Sequence, residues 1–270
     1  MAFKLKENRI LEALENGQIP LGMQVYTGSP SIIEILAYAG FDFYMLDMEH
    51  SRVNVETMEH CIRAADAAGI TTLVRVAEND PGLIRQSIES GAMGVIVPHI
   101  ATAEDARRAV DAVRYPPEGQ CGTCGSIRAS RWGTVPDYDY MEYANNNVML
   151  IPLLEDQASI ENAGEILAQL KPGLDAVGIG RGDLSSSLRA GPGEKDRPNP
   201  KKGMQHPYIR QAYEKVLAIA NKAGIPLIDN VFSPGDAKAQ VAMGIKILLY
   251  FIDQQIFFSA CRDIVKTVKG

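Results

Sequence analysis

In the stretch YMLDMEHSRV, residues 44–53, an apolar run gives way to three ionisable side chains, Asp47, Glu49 and His50. An imidazole beside acids is made more basic and is oriented, which suits a general base near neutral pH. The plainer reading is a surface histidine that caps a loop. Arg75 interrupts a second apolar run, TLVRV at 72–76. A buried guanidinium needs a partner, so Arg75 is either a structural ion pair with Asp47 or Glu155, or a clamp for a substrate carboxylate or a developing oxyanion. Glu155 and Asp183 follow two further apolar runs, with no Cys or His at comparable positions. Paired oxygen ligands of that kind suit a hard cation, Mg²⁺ or Mn²⁺, whose shell is completed by water or substrate. As plain structure, both acids would cap the helices that follow.

These residues must be carried by regular elements. Continuous Val/Ile/Leu-rich runs predict strands over 21–26, 43–47, 72–76, 94–98, 149–154, 176–180, 225–229 and 245–251. Helical patterns lie between them, over 31–39, 55–68, 81–90, 103–113, 159–170, 207–223, 234–242 and 253–268. Asn54, Asp80-Pro81 and Ser233-Pro234 mark helix starts. Strands that are apolar throughout are covered on both faces, and the eightfold alternation predicts an α/β fold, a (β/α)8 TIM barrel spanning 1–270 as one domain. The structural alternative, a doubly wound open sheet, needs a phosphate-binding glycine turn after the first strand, and VYTGSPS is a poor one. Two segments, 115–137 and 190–207, are too long for plain connections.

In such a barrel the chemistry sits at the C-terminal ends of the strands. There the sequence places Asp47, Glu49 and His50, then Arg75, His99, Glu155 and Asp156, Asp183, and finally Asp229 and Asn230. No lysine ends a proposed strand, and Lys246 starts the last one. A Schiff-base mechanism therefore has no candidate, and carbonyl chemistry would use a metal. The turn Gly178-Ile-Gly-Arg-Gly182 either packs tightly or offers backbone N–H groups to a carboxylate, with Gly180, Gly182 and Asp183 as substrate contacts. Cys121-Gly-Thr-Cys124 has redox or zinc spacing but no second pair. Arg128, Arg131 and Trp132 read as a solvated loop, with a substrate or subunit contact as the alternative, and His60 reads as structural.

The composition sets limits. With 27 Lys plus Arg against 33 Asp plus Glu, the net charge is −6, which argues against a nucleic-acid or membrane partner. The N-terminus lacks a signal-peptide pattern, and no apolar stretch reaches the roughly 18 residues of a bilayer span. Four cysteines make no disulfide scaffold, so a reducing cytoplasm is expected.

The chain resembles the HpcH/HpaI aldolase family, metal-dependent aldolases acting on 2-keto-3-deoxy acids and 4-hydroxy-2-oxoheptanedioate. The resemblance rests on AGFDFYMLDMEHSRVNVETM, LVRVAENDPGLIRQSIESGAMGVIVPHIATAEDARRAVDAVRYPPEG, IPLLEDQASIENAGEI and VGIGRGDLSSSL, from about residue 20 to 190 in family order. It implies a barrel assembled as a hexamer, a trimer of dimers, with the last helix exchanged between subunits. It implies a divalent metal (Mg²⁺, Mn²⁺ or Co²⁺) on Glu155 and Asp183 that chelates pyruvate. It further implies Arg75 stabilising the enolate, His50 as base, and an acid behind the base, either Glu89 or Asp47. The substrates implied are pyruvate and an aldehyde.

Departures from the family pattern are also visible. Gly180-Arg-Gly-Asp183 replaces the usual Gly-Pro-Ala-Asp and adds the charge of Arg181 at the pyruvate turn; Cys121-Gly-Thr-Cys-Gly125 is unusual; and 190–207 is longer and more basic. The leading expectation is a class II pyruvate aldolase. An oxaloacetate decarboxylase or an enolate-using synthase on the same site is the second, and a non-catalytic acid-binding barrel the third.

Overall fold

The computed structural model describes residues 5–187 and 206–270, so most of the 190–207 segment lies outside the described residues. Eight parallel strands, β1 (Leu21–Val25), β2 (Phe43–Asp47), β3 (Thr71–Arg75), β4 (Gly94–Val97), β5 (Met149–Leu154), β6 (Val177–Ile179), β7 (Leu227–Val231) and β8 (Ile247–Ile252), pair in chain order, and β8 closes on β1. Closure rules out the doubly wound alternative. The helices described are α1 (Arg9–Glu15), α2 (Pro30–Tyr38), α3 (Val55–Ala68), α4 (Pro81–Ser90), α5 (Ala103–Val113), α6 (Asp137–Asn147), α7 (Gln157–Glu161), α8 (Ala163–Leu167), α9 (Arg181–Ser187), α10 (Pro207–Ala223), α11 (Pro234–Met243) and α12 (Asp253–Lys269).

Two apolar clusters explain why the strands read as unbroken runs. Phe43, Met45, Leu73, Ile96, Met149, Ile151, Ile228, Ile247 and Leu249 fill the barrel. Their strand neighbours Tyr44, Leu46, Val74, Val95, Val97 and Leu150 pack outward into the layer shared with the helices. Side chains that alternate between two buried faces leave no polar alternation to see. Gly22 of β1 makes room for the Phe43 ring, which a Cβ at 22 would overlap.

The helix α1, absent from the sequence expectations, belongs to the end of the barrel opposite the mouth. Its Ile10 is fully buried in the interior cluster, contributing about 1.5–3 kcal/mol. Asn8 caps the helix and also donates to the carbonyls of Met93 and Asn147. A helix of seven residues has no stability alone, so this docking is what forms it.

Several boundaries differ from expectation for one physical reason. The α10 and α11 helices end in left-handed Gly224 and Gly244, and the next N–H groups, of Ile225 and Ile245, turn back to the carbonyls of Ala220 and Gln240. Ile225 and Ile245 are therefore the apolar residues of helix C-caps, and β7 and β8 begin two residues later than expected. The single helix expected over 159–170 is two, α7 and α8, divided at Asn162, whose side chain donates to Ala101 O. The 115–137 insertion is anchored at buried Tyr115, Cys121, Ile127, Ser130 and Val135, with most of the residues between them exposed. Its buried Tyr115 exchanges two backbone hydrogen bonds with the Asn145 amide, and it leads into α6.

Candidate active site

Register builds the first half of the site. Asp47 ends β2 directly beside Arg75, which ends β3. The Asp47 side chain is fully buried and accepts from Arg75 Nε at 2.6 Å, with Arg75 Nη2 also against it. Its other oxygen accepts the backbone N–H of His50 at 2.6 Å. Arg75 Nη2 donates to Tyr26 Oη at 2.9 Å, and Nη1 lies 3.2 Å from Glu49 Oε2. Burial works against the Arg75 charge, but Asp47, Tyr26 and Glu49 outweigh it, so its pKa lies above the ordinary value. Burial likewise pushes the Tyr26 phenol up to about 12, keeping it protonated beside the guanidinium. Beneath Arg75 is a cavity of about 30 Å³ between Gln24, Met45, Ile96 and Asn230, enough for a single oxygen-sized group.

The second half runs from Glu49 across β4 to β5. Glu49 Oε1 lies 3.3 Å from His99 Nε2, and His99 Nδ1 lies 3.2 Å from Glu155 Oε1, which also accepts the His99 backbone N–H at 2.7 Å. The His50 ring, 55% exposed, stands with Nε2 3.7 Å from Glu49 Oε2. Arg75, Glu49, His50, His99 and Glu155 thus form one continuous polar chain around the mouth. Asp183, in the first turn of α9, faces it closely enough to raise the Glu155 pKa electrostatically. Burial is the larger cause of that rise, the His99 N–H and ring oppose it, and Glu49 adds to it.

These acids fit a hard cation. Glu155 is buried with Glu49 and Asp183 facing it, and Glu49 Oε2 accepts no hydrogen bond among the described residues. A cation on Glu155 and Asp183 would relieve the repulsion between these acids, while Glu49 Oε2 already faces Arg75 Nη1 at 3.2 Å. Among the described residues no group of three His, Cys, Asp or Glu side chains closes into a metal cage. The protein's share would be Glu155 and Asp183, with water and substrate completing the shell. Gly180 is needed for close approach: a Cβ at 180 would stand 2.6 Å from Glu155 Cβ and closer still to its Oε2.

Several expectations need correction. Asp47 does not touch the His50 ring; it fixes the His50 backbone and Arg75, and the acid nearest the imidazole is Glu49. Glu89 sits in the last turn of α4, and since the helices run antiparallel to the strands, that is the end of the barrel away from the mouth. Its carbonyl accepts from Ala129, and its charge is felt by Tyr115 and Cys121, so within one chain it does not join His50. The Gly180 N–H is already bonded to Leu154 O at 3.1 Å and is not free for a carboxylate. Gly182 is exposed in α9. Arg181 adds no charge to the mouth: it is 7% exposed, turned back against Asn230 O and Asp229 Oδ2 (3.4 Å), with its guanidinium over the Tyr213 and Phe232 rings. Asp156 is the helix cap, bonding Ser159 N–H, whereas Glu155 is not.

The remaining candidates lie elsewhere. A cleft of about 860 Å³ opens at the end opposite the mouth, lined by Lys6, Arg9, Arg128, Arg131 and Trp132. There Lys6 and Arg128 share Asp66 and reach the Gly91 and Ser90 carbonyls, a seam that ties the ends of α3 and α4. Cys121 is buried, Cys124 exposed, and both are free thiols. His60 is exposed on α3. The sequence reading missed Tyr26 as a partner of Arg75. Its signal was available, a polar-tipped residue closing the β1 apolar run. Asp253, which accepts the Tyr26 and Thr27 N–H groups from the start of α12, gave no comparable signal.

A family model described as HpcH/HpaI aldolase/citrate lyase matches residues 21–247. A 2-dehydro-3,6-dideoxy-6-sulfogluconate aldolase of Pseudomonas putida is 33% identical over 257 residues, 95% of each chain. A 5-keto-4-deoxy-D-glucarate aldolase of Klebsiella pneumoniae is 31% identical over 97% of each. Among solved structures, an aldolase/citrate lyase family protein of Burkholderia cenocepacia superposes with a TM-score of 0.85 at 28% identity, covering 97% of this chain and 100% of that one. A citrate synthase, SbnG, does so at 0.81 and 27%, covering 96% of both.

Proposed function

The chain belongs to the HpcH/HpaI aldolase/citrate lyase family, and we propose that it is a class II pyruvate aldolase, a carbon–carbon lyase that cleaves or forms a 4-hydroxy-2-oxoacid. The observation that carries this is the continuous chain of contacts from Arg75 through Glu49 and His99 to Glu155, with the His50 ring at its edge. It joins a fixed cation to a buried acid cluster within one mouth, which is what charge development on a 2-oxo group requires.

In cleavage, His50 removes the proton of the C4 hydroxyl, with the Glu49 carboxylate 3.7 Å from its Nε2. The C3–C4 bond breaks, the aldehyde departs, and the electron pair moves onto the pyruvate half as an enolate. Arg75 has Nε and Nη2 committed to Asp47 and Tyr26 and one Nη1 contact with Glu49, which leaves an Nη1 proton for the enolate oxygen. Glu155 and Asp183 would hold the divalent cation (Mg²⁺, Mn²⁺ or Co²⁺) that supplies Lewis-acid polarisation of the 2-oxo group. Asp47 keeps Arg75 charged and in place.

Assembly is part of the same reading. Of α12 only Asp253 is buried, while Phe257, Phe258, Ile264 and Val268 are 61–78% exposed. An amphipathic helix with its apolar side in water supports exchange onto a second copy, in a hexamer of three dimers. Free thiols support a reducing cytoplasm as the working compartment.

The likeness to a citrate synthase favours one second reading, in which the same enolate adds to another electrophile or arises by decarboxylation of oxaloacetate. Purified enzyme given pyruvate, Mn²⁺ and a panel of aldehydes, with oxaloacetate in parallel, separates them. Aldol product that disappears with EDTA is expected. Aldol turnover untouched by EDTA would remove the metal from the mechanism, and turnover of oxaloacetate alone would favour the second reading.

A further inference from the structure

The rule that finds His50 and Arg75 at strand ends also delivers His99, to which the reaction above gives no task. His99 follows β4 and Pro98 with φ of +57°, the left-handed region that non-glycine side chains rarely adopt. The chain is pinned just beyond it, where Ile100 N–H donates to Leu153 O. Packing does not compensate for the strain, because the His99 side chain is 62% exposed. What the conformation does secure is polar: the backbone N–H and ring Nδ1 both on Glu155 Oε1, at 2.7 and 3.2 Å, and ring Nε2 3.3 Å from Glu49 Oε1. Strain held at a strand end and spent on two acids points to function rather than to folding.

We propose that His99 is a positioning residue that fixes the Glu155 carboxylate, and its spacing from Glu49, for cation binding. Glu155 is gripped from two sides. One oxygen is committed to His99, and the other lies against the bare Cα of Gly180. Held so, it meets a cation without first losing rotamer freedom, the role that outer partners of metal-ligating carboxylates play. The inference rests on the reading of Glu155 as a metal-holding residue and deepens it.

The test measures Mn²⁺ binding by electron paramagnetic resonance and thermal unfolding of the metal-free chain, for wild type, His99→Gly, His99→Asn and His99→Leu. Wild type is expected to bind Mn²⁺. His99→Gly keeps the backbone N–H and releases the left-handed strain, so it should melt no lower than wild type yet bind Mn²⁺ roughly tenfold or more weakly. His99→Asn, which tolerates the same φ and keeps a side-chain N–H, should recover part of the affinity. His99→Leu should lose affinity and also melt lower. Aldol activity of the variants should return as Mn²⁺ is raised, the defect lying in metal occupancy rather than in turnover at saturation. Equal Mn²⁺ affinity in wild type and all three variants would overturn the role of His99 alone. So would a melting temperature for His99→Gly below that of wild type, since the ring would then be a packing prop. A wild type that binds no Mn²⁺ would instead overturn the metal reading, and this inference with it.

Discussion

The ion pair at the ends of β2 and β3 yields the sharpest test of how the mouth is built. Asp47→Asn keeps the size of the side chain and an oxygen for the His50 N–H, but removes the charge that faces Arg75. Asp47 is fully buried, and the Arg75 side chain is 12% exposed, so the guanidinium would be left poorly solvated. Removing one partner of a buried pair costs about 3–5 kcal/mol. Glu49, 3.2 Å from Arg75 Nη1, takes over part of the charge, so the cost for Asp47→Asn falls to about 2–4 kcal/mol. Arg75→Met leaves the opposite orphan, a carboxylate with only the His50 N–H, at about 3–5 kcal/mol. In Asp47→Asn/Arg75→Met neither charge remains, and the double variant should be more stable than the sum of the singles by about 1–3 kcal/mol. Urea unfolding of the four proteins gives the cycle. Arg75→Met should also lose about 10²–10³-fold in aldol turnover, the usual consequence of removing an oxyanion donor. Additivity within about 0.5 kcal/mol would refute the reasoning, because it would mean that Asp47 and Arg75 do not hold each other.

Gly180→Ala should cost about 1–3 kcal/mol and displace Glu155, since the new methyl enters the space of that carboxylate; calorimetric melting and Mn²⁺ affinity should fall together. Burial raises the Asp229 carboxyl from 3.8 to about 6, so between those values the folded chain retains a proton that the unfolded chain has released. Its contribution to stability is therefore complete at the acid end, is lost as pH rises to about 6, and is level above that. Comparing denaturation of wild type and Asp229→Asn from about pH 4 to pH 7 should show wild type losing roughly 2–3 kcal/mol relative to the variant; a constant difference would contradict it. Charging the open face of α12 with Phe257→Asp/Phe258→Asp should reduce the mass measured by light scattering to that of a smaller species, with the barrel's circular dichroism retained.

The barrel was legible because its physics is local and repeated. Each strand is buried on both faces and so is apolar throughout, and each strand's polar residues gather at its exit. What was not legible depended on distant partners. The α1 helix exists because Ile10 finds the barrel interior and Asn8 finds two carbonyls more than eighty residues away in sequence. Ile225 and Ile245 look like strand starts, since an apolar residue after glycine serves a helix cap and a strand equally well. Glu89 could have been placed from topology: the last turn of a helix in this fold lies at the strands' entry end. Arg181 could not. Sequence puts its charge two residues from Asp183, and only the carbonyl of Asn230, the buried Asp229 and two aromatic rings decide that it turns away.

The same distinction separates the two acids of the DMEHS stretch. Asp47 is the last residue of β2, in register with Arg75, and its oxygens are both taken, one by the guanidinium and one by the turn that leads to His50. It neutralises a fixed cation and holds the turn that carries His50. Glu49 lies beyond the ladder and is shared among Arg75, His50 and His99 with an oxygen that accepts no hydrogen bond among the described residues. With Asp47 offsetting Arg75, the charge that remains to be balanced at the mouth is that of Glu49, Glu155 and Asp183. An acidic substrate would be repelled by that set until a cation is in place. The acid that ends the strand therefore builds the site, and the one just past it helps decide what the site will accept.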